Sequence, residues 1–182
     1  MKTIFKLTLL AALTLFFNCN EVDELTDIKI EQTFETDVNI DSNDFTRTPE
    51  GTTTINESTT LDISTDPRIK DGLELIENVD INAININIED YAGDPDAELT
   101  DIKLIIGGNE ITLPGPINLK DAFTNKTDIT IGDQATLTRI ASALKQNPEI
   151  DIDFSGVIKS SGAPISFTPN FTIDTTVILD VI

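Results

Sequence analysis

Histidine and tryptophan are absent from the 182 residues, and cysteine, tyrosine and methionine occur once each. Without imidazole there is no Ser-His-Asp or Cys-His nucleophile and no histidine ligand for a metal. The lone thiol, Cys19, excludes an intramolecular disulfide and a thiolate metal cage. Aromatic surface is scarce: beyond Tyr91, the residues after position 18 offer only phenylalanines, and those fall mostly on core parity. A sugar would have nothing to stack on, so only a polar, shallow carbohydrate site is left open. Basic residues are few as well, 12 against 32 acidic ones, for a formal charge of −20. Such a field repels polyanions, and no Lys/Arg stripe exists to release phosphate counterions, so nucleic acid is excluded as a partner. The nucleophile elbow G-x-S-x-G and the phosphate loops G-x-x-x-x-G-K and G-x-G-x-x-G are missing too.

What is present starts at the N-terminus. Lys2 and Lys6 precede an apolar run from Leu7 to Phe17, broken only by Thr8 and Thr14, which is the layout of a secretory signal. The run falls short of the roughly 20 apolar residues that a spanning helix needs. Residues 1–18 are therefore expected to be a signal peptide. The segment Phe16-Phe17-Asn18-Cys19 resembles a lipobox, with Phe16 where Leu is usual and Asn18 in place of a small residue. The resemblance implies that the Cys19 thiol is acylated, with chains such as palmitate, and becomes the first residue of the mature protein. Each buried CH₂ contributes about 0.8 kcal/mol, and several chains hold a protein on a bilayer where one does not. Asn20, Glu21, Val22, Asp23 and Glu24 follow, resembling the acidic export signal of Bacteroidota lipoproteins displayed on the outer face of the outer membrane. That implies surface display, with a plain flexible tether over 19–26 and a periplasmic orientation as the alternatives.

Removing residues 1–18 takes away two lysines and no acid, so 10 basic residues remain against 32 acidic ones and the charge becomes −22. The remaining chain suits a single domain over 27–182, with roughly 68–70 % of its unfolded surface buried.

Apolar residues recur mostly at period two, the mark of half-buried strands. Ile28, Ile30, Phe34, Val38 and Ile40 share one parity. A Thr-rich strand is expected around Thr53 to Ile63 after a Pro49-Glu50-Gly51 turn, then a short helix opened by Asp66-Pro67 and running to about Glu77. In Val79 to Tyr91 the apolar parity switches at Ala83-Ile84, which a bulge there would reconcile. Leu99 to Ile106 and Glu110 to Leu113 flank Gly107-Gly108, a hairpin signal that suggests a meander. Asp133 caps a helix over Gln134 to Gln146, stopped by Asn147-Pro148 and expected to lie across a sheet opening. Ile150, Ile152 and Phe154 alternate next. Ile165, Phe167, Phe171, Ile173, Val177 and Leu179 form the last strand, which Pro164 and Pro169 place at an edge or make bulged. The fold class is mainly β: an antiparallel β-sandwich with one or two short helices, a jelly-roll-like arrangement or an open barrel being the alternatives.

Candidate sites come from the acids. Asp37, Asn39 and Asp41 are spaced like the first ligands of a calcium loop, but Ser42 stands where glycine is required and Thr48 where the bidentate glutamate belongs. Asp90, Asp94, Asp96 and Glu98 lie around Gly93 and Pro95 and are a better candidate for Ca²⁺, although Asp-Pro and Gly are also ordinary turn residues. Asp80, Asn82, Asn85, Asn87 and Glu89 line one face of a strand, as a recognition ladder or simply a solvated face. Asp174-Thr175-Thr176 resembles an O-glycosylation site of exported Bacteroidota proteins, with Thr175 as acceptor.

Three function classes stay open. The leading one is a non-enzymatic binding or structural module, held at a membrane by Cys19, with no cofactor and with a protein partner met through sheet edges or loops. The second is a Ca²⁺-dependent adhesion or ligand-binding module. The third is a carboxylate-dependent hydrolase, which needs two acids about 5–10 Å apart in a pocket.

Overall fold

Alternation at period two turns into two stacked sheets, because each apolar parity is removed from water only against a second layer. The structure is a computed structural model that describes residues 27–48 and 51–181. The signal segment, Cys19, the acidic stretch after it, and Pro49 and Glu50 of the expected turn lie outside the described residues. The strands are β1 (Asp27–Asp37), β2 (Ile40–Asp41), β3 (Thr52–Asp62), β4 (Ile76–Ala92), β5 (Glu98–Ile106), β6 (Asn109–Thr112), β7 (Ile117–Asn118), β8 (Ile129–Ile131), β9 (Glu149–Lys159) and β10 (Ser166–Asp180). The α-helices are α1 (Pro67–Asp71), α2 (Leu119–Asn125) and α3 (Gln134–Gln146).

One sheet runs β1-β10-β4-β8, with β2 also on β10; the other runs β3-β9-β5-β6, with β7 also on β5. The pairings are antiparallel. Inner faces of both sheets meet in one core cluster that includes Ile55, Ile84, Leu104, Ile152 and Ile173. Phe154 of β9 and Phe171 of β10 pack edge to face across it, ring centroids 6.0 Å apart. The antiparallel sandwich expected from the sequence is what forms.

Several finer expectations are corrected. Gly107 and Gly108 do make a two-residue hairpin between β5 and β6, at φ +53° and +78°. The meander goes no further, since β4 and β5 belong to different sheets and so do β9 and β10. Of the two expectations for the last strand, the bulged one holds and the edge one does not: β10 lies between β1 and β4, with three register shifts against β4. Pro169 is tolerated there because its carbonyl accepts from Val38 N at 3.1 Å. Its nitrogen thus turns to the same side, toward Val38 in the break between β1 and β2, where the ladder is already interrupted. The bulge in β4 falls one residue early: Ala83 and Ile81 pair with Asp174 and Thr175, leaving Asn82 as the extra residue. The helix after Asp66 stops at Gly72 instead of near Glu77, a 3₁₀ turn over Leu73–Leu75 follows, and Ile76 already belongs to β4.

Helix α3 forms as its caps predict, with Asp133 Oδ1 accepting from Thr136 N at 2.7 Å. It buries Leu137, Ile140, Ala141 and Leu144, each large side chain contributing about 1.5–3 kcal/mol. It packs against β4 of one sheet and β6 and β9 of the other, while α2 packs against β4 and β7. The two helices thus cover one flank of the sandwich. On the opposite flank the sheets end in β1 and β3. No helix among the described residues is long and apolar enough to cross a membrane.

Candidate functional site

The loop after β4 carries the sequence's best metal candidate, and its geometry gives the leading carboxylate another task. Asp94 is buried; its Oδ2 accepts from Ser161 N at 2.6 Å and Ser161 Oγ at 2.5 Å, and its Oδ1 accepts from Asp96 N at 3.0 Å. These bonds, the Ser161 hydroxyl first, hold the Asp94 carboxyl below the usual carboxylate range. Asp90, Asp96 and Glu98 are exposed, and no group of three or more acidic side chains placed to hold a metal occurs among the described residues. The proposed Ca²⁺ quartet is therefore not brought together. Asp94 acts instead as a staple between two loops that cross from sheet to sheet: Gly93–Ala97 from β4 to β5, and Ser160–Ile165 from β9 to β10. Tyr91 Oη donates to the Asp94 carbonyl on the same loop, and burial followed by the Asp94 charge pushes the Tyr91 hydroxyl's pKa up.

Thr175 is a second correction. It is 1 % exposed and its hydroxyl donates to the Gln32 carbonyl at 3.1 Å, so the folded strand offers no acceptor oxygen to a glycosyltransferase. The Asn/Asp face of β4 is partly committed internally: Asn82 Nδ2 donates to Thr176 Oγ1, and Asn85 Oδ1 accepts from Thr130 Oγ1. Asp80 and Glu89 face solvent. Asn87 Oδ1 is buried with no hydrogen-bond partner, beside a hollow of about 270 Å³ lined by Phe123 and Lys126. Of the calcium-like triplet, Asp41 caps the 3₁₀ turn Ser42–Asp44 through Asn43 N.

The open flank holds the feature that residue-by-residue reading misses. Phe34 and Leu61 are buried on the inward parity of β1 and β3, yet the inward positions between their apolar neighbours are polar and half-buried: Gln32 and Thr36 on β1, Glu57 and Thr59 on β3. Thr36 and Thr59 meet hydroxyl to hydroxyl at 2.9 Å, joining the two edges. At the other end Arg68 Nη2 reaches Gln32 Oε1 at 3.4 Å. Between these contacts runs a cleft of about 510 Å³, with Phe34, Glu35, Leu61 and Asp62 among its walls. Asp66 at its end is held down to about 2, first by its hydrogen bond from Arg68. That is the reverse of the raised carboxyl a hydrolytic general acid requires. The signal in the sequence was the interruption of an apolar parity at Gln32, Thr36, Glu57 and Thr59.

No family model matches the chain, and no curated protein matches it. Among solved structures it is similar to a chain of turnip yellow mosaic virus, at 15 % identity over 84 % of this chain and 80 % of that one, TM-score 0.30. A chain of Desmodium yellow mottle tymovirus is similar at 9 % identity over 84 % and 87 %, TM-score 0.22.

Proposed function

We propose that this chain is a lipid-anchored lipoprotein of a bacterial outer membrane, its β-sandwich serving as a non-enzymatic binding or structural module for a protein partner. The observation that carries this reading is an order of residues: Lys2 and Lys6, the apolar run to Phe17, the lone Cys19, then the acids Glu21, Asp23 and Glu24. Asp27, eight positions after Cys19, opens β1, an edge strand. A tether from Cys19 would thus lead straight into a sheet edge, leaving the loops and the β1–β3 flank for a partner. The strong negative charge favours solubility and keeps the domain off anionic lipid, so that acyl chains on Cys19 carry the attachment.

Cell fractionation of the wild type and Cys19→Ala tests the anchor. The wild type is expected in the membrane fraction and in the detergent phase of a phase-separating detergent, the variant in the aqueous phase. A variant that stays with the membrane overturns the anchor. Protease treatment of intact cells tests display: digestion before lysis supports an outward-facing domain, and protection until lysis places it on the periplasmic side.

A further inference from the structure

The two flanks of the sandwich are finished differently. On one, β4, β6 and β9 are covered by α3, and β4 and β7 by α2. On the other, β1 and β3 end their sheets, joined by the Thr36–Thr59 bond with the cleft opening beside it. An edge strand of eleven residues, with no second strand beside it among the described residues, is a template for one more strand.

Which backbone groups of β1 are free follows from its bonds. Val38 N donates to Pro169 O, and Gln32 O accepts from the Thr175 hydroxyl, so even-numbered residues turn their main-chain groups toward β10. In an antiparallel ladder this orientation alternates. The amides and carbonyls of Glu31, Thr33 and Glu35 therefore face away from β10, toward the open side. The Thr33 carbonyl accepts Gln32 Nε2 at 3.0 Å, a side chain standing where a strand partner would.

The charges say what kind of strand fits. Along β1 the outward side chains are Asp27, Lys29, Glu31, Thr33, Glu35 and Asp37, and Lys29 already pairs with Glu31 at 2.7 Å. Across the cleft, β3 adds Asp62, while Arg68 is engaged by Asp66 at 2.5 Å. A second copy of this edge would set acid against acid, which is a barrier to self-pairing. A strand bearing lysines or arginines at alternate positions meets complementary charge instead.

We propose that the β1 edge, at the cleft between Phe34 and Leu61, accepts an extended basic polypeptide segment as an added strand. Its main chain pairs with Glu31, Thr33 and Glu35, its cations lie against Glu35 and the neighbouring acids, and its intervening small apolar side chains turn toward the cleft. The proposal rests on reading the domain as a binding module and is independent of the anchor at Cys19.

The test uses the full chain in detergent micelles and a fluorescent nonapeptide alternating Lys with Thr and Val, followed by anisotropy. A control peptide has the same sequence with its backbone amides N-methylated, which keeps charge but removes the donors a ladder needs. The proposal expects binding of the first peptide only. It expects Glu35→Lys to weaken that binding by about fivefold or more, a reversed charge pair, and Asp121→Lys, on α2, to leave it unchanged. It also expects slowed hydrogen exchange at the amides of Glu31, Thr33 and Glu35. Equal binding of both peptides, no binding, protection confined to other strands, or indifference to Glu35→Lys overturns it. Failure here with Cys19-dependent fractionation intact removes this inference alone; loss of that fractionation with peptide binding intact removes the anchor alone.

Discussion

The Asp94 carboxylate grips Ser161 twice, at its backbone amide and at its hydroxyl, across 67 positions of sequence. Each residue sits on a loop that carries the chain from one sheet to the other, so a single buried carboxylate fixes two crossings at once. Charge-assisted bonds of this kind exceed neutral ones in strength, and removing the acceptor strands the donors.

Ser161→Ala removes only the hydroxyl bond and is expected to cost about 1 kcal/mol, a fall in Tm of about 2–4 °C for a domain of this size. Asp94→Ala, which loses every one of these bonds, is expected to lower Tm by more. Thermal unfolding by circular dichroism measures both, and an Asp94→Ala variant as stable as Ser161→Ala would contradict the staple. The same experiment bears on metal: millimolar Ca²⁺ is expected to leave the wild-type Tm unchanged, since a ligand bound only by the folded form would raise it.

The staple also marks where sequence legibility ends. Asp94 stands out locally, next to Pro95 and one residue after Gly93, and the acids around it look like ligands. Its true partner, Ser161, lies in another turn that no local pattern connects to it. The sandwich itself was legible because period-two alternation has one physical use, and α3 because Asp133 and Asn147-Pro148 punctuate it. Strand order was not, since it depends on pairings such as Thr33 with Asp174, which sequence periodicity leaves open. Gln32, Thr36, Glu57 and Thr59 were visible as breaks in parity. Their meaning depends on β1 and β3 sharing a flank, which only the assembled sheets reveal.

Phe171 is fully buried on β10, the strand between β1 and β4, and meets Phe154 of the other sheet edge to face. Phe171→Ala is expected to destabilise the domain by about 3–5 kcal/mol, through lost burial and the cavity left behind. In urea this appears as a lower midpoint at an unchanged slope. A loss below about 1 kcal/mol would mean that the two sheets do not share this contact.

Acid should weaken the folded state at the helix after β3. The Asp66 carboxyl, held to about 2 by Arg68 against an ordinary 3.8, also caps α1 through Arg68 N. A depressed carboxyl stabilises fully above its unfolded pKa and loses that contribution as pH falls through the folded one. The advantage of the wild type over Asp66→Asn is therefore expected to hold from neutral pH down to about 4 and to shrink between about 4 and 2. Relief of repulsion among the many other acids acts on both proteins, so the difference in urea midpoints isolates this pair. A difference that grows on acidification contradicts the assignment.

Gly93 and Gly108 both sit at positive φ, +138° and +78°, but their surroundings differ. A Cβ at Gly93 would lie 2.7 Å from the Pro164 carbonyl oxygen and 3.0 Å from Ile165 Cα, backbone atoms of the neighbouring crossing. A Cβ at Gly108 meets nothing within 4 Å, and its left-handed conformation is one that asparagine adopts readily. Gly93→Ala is thus expected to lose more than about 1 kcal/mol, combining backbone strain with displacement of the β9–β10 loop. Gly108→Asn is expected to stay within about 0.5 kcal/mol of the wild type. Because Gly93 adjoins Asp94, Gly93→Ala should also remove most of the further effect of Ser161→Ala, the sign of one shared contact. A double-mutant cycle measured by urea unfolding decides it: strictly additive losses would separate the close approach of the two loops from the carboxylate that ties them.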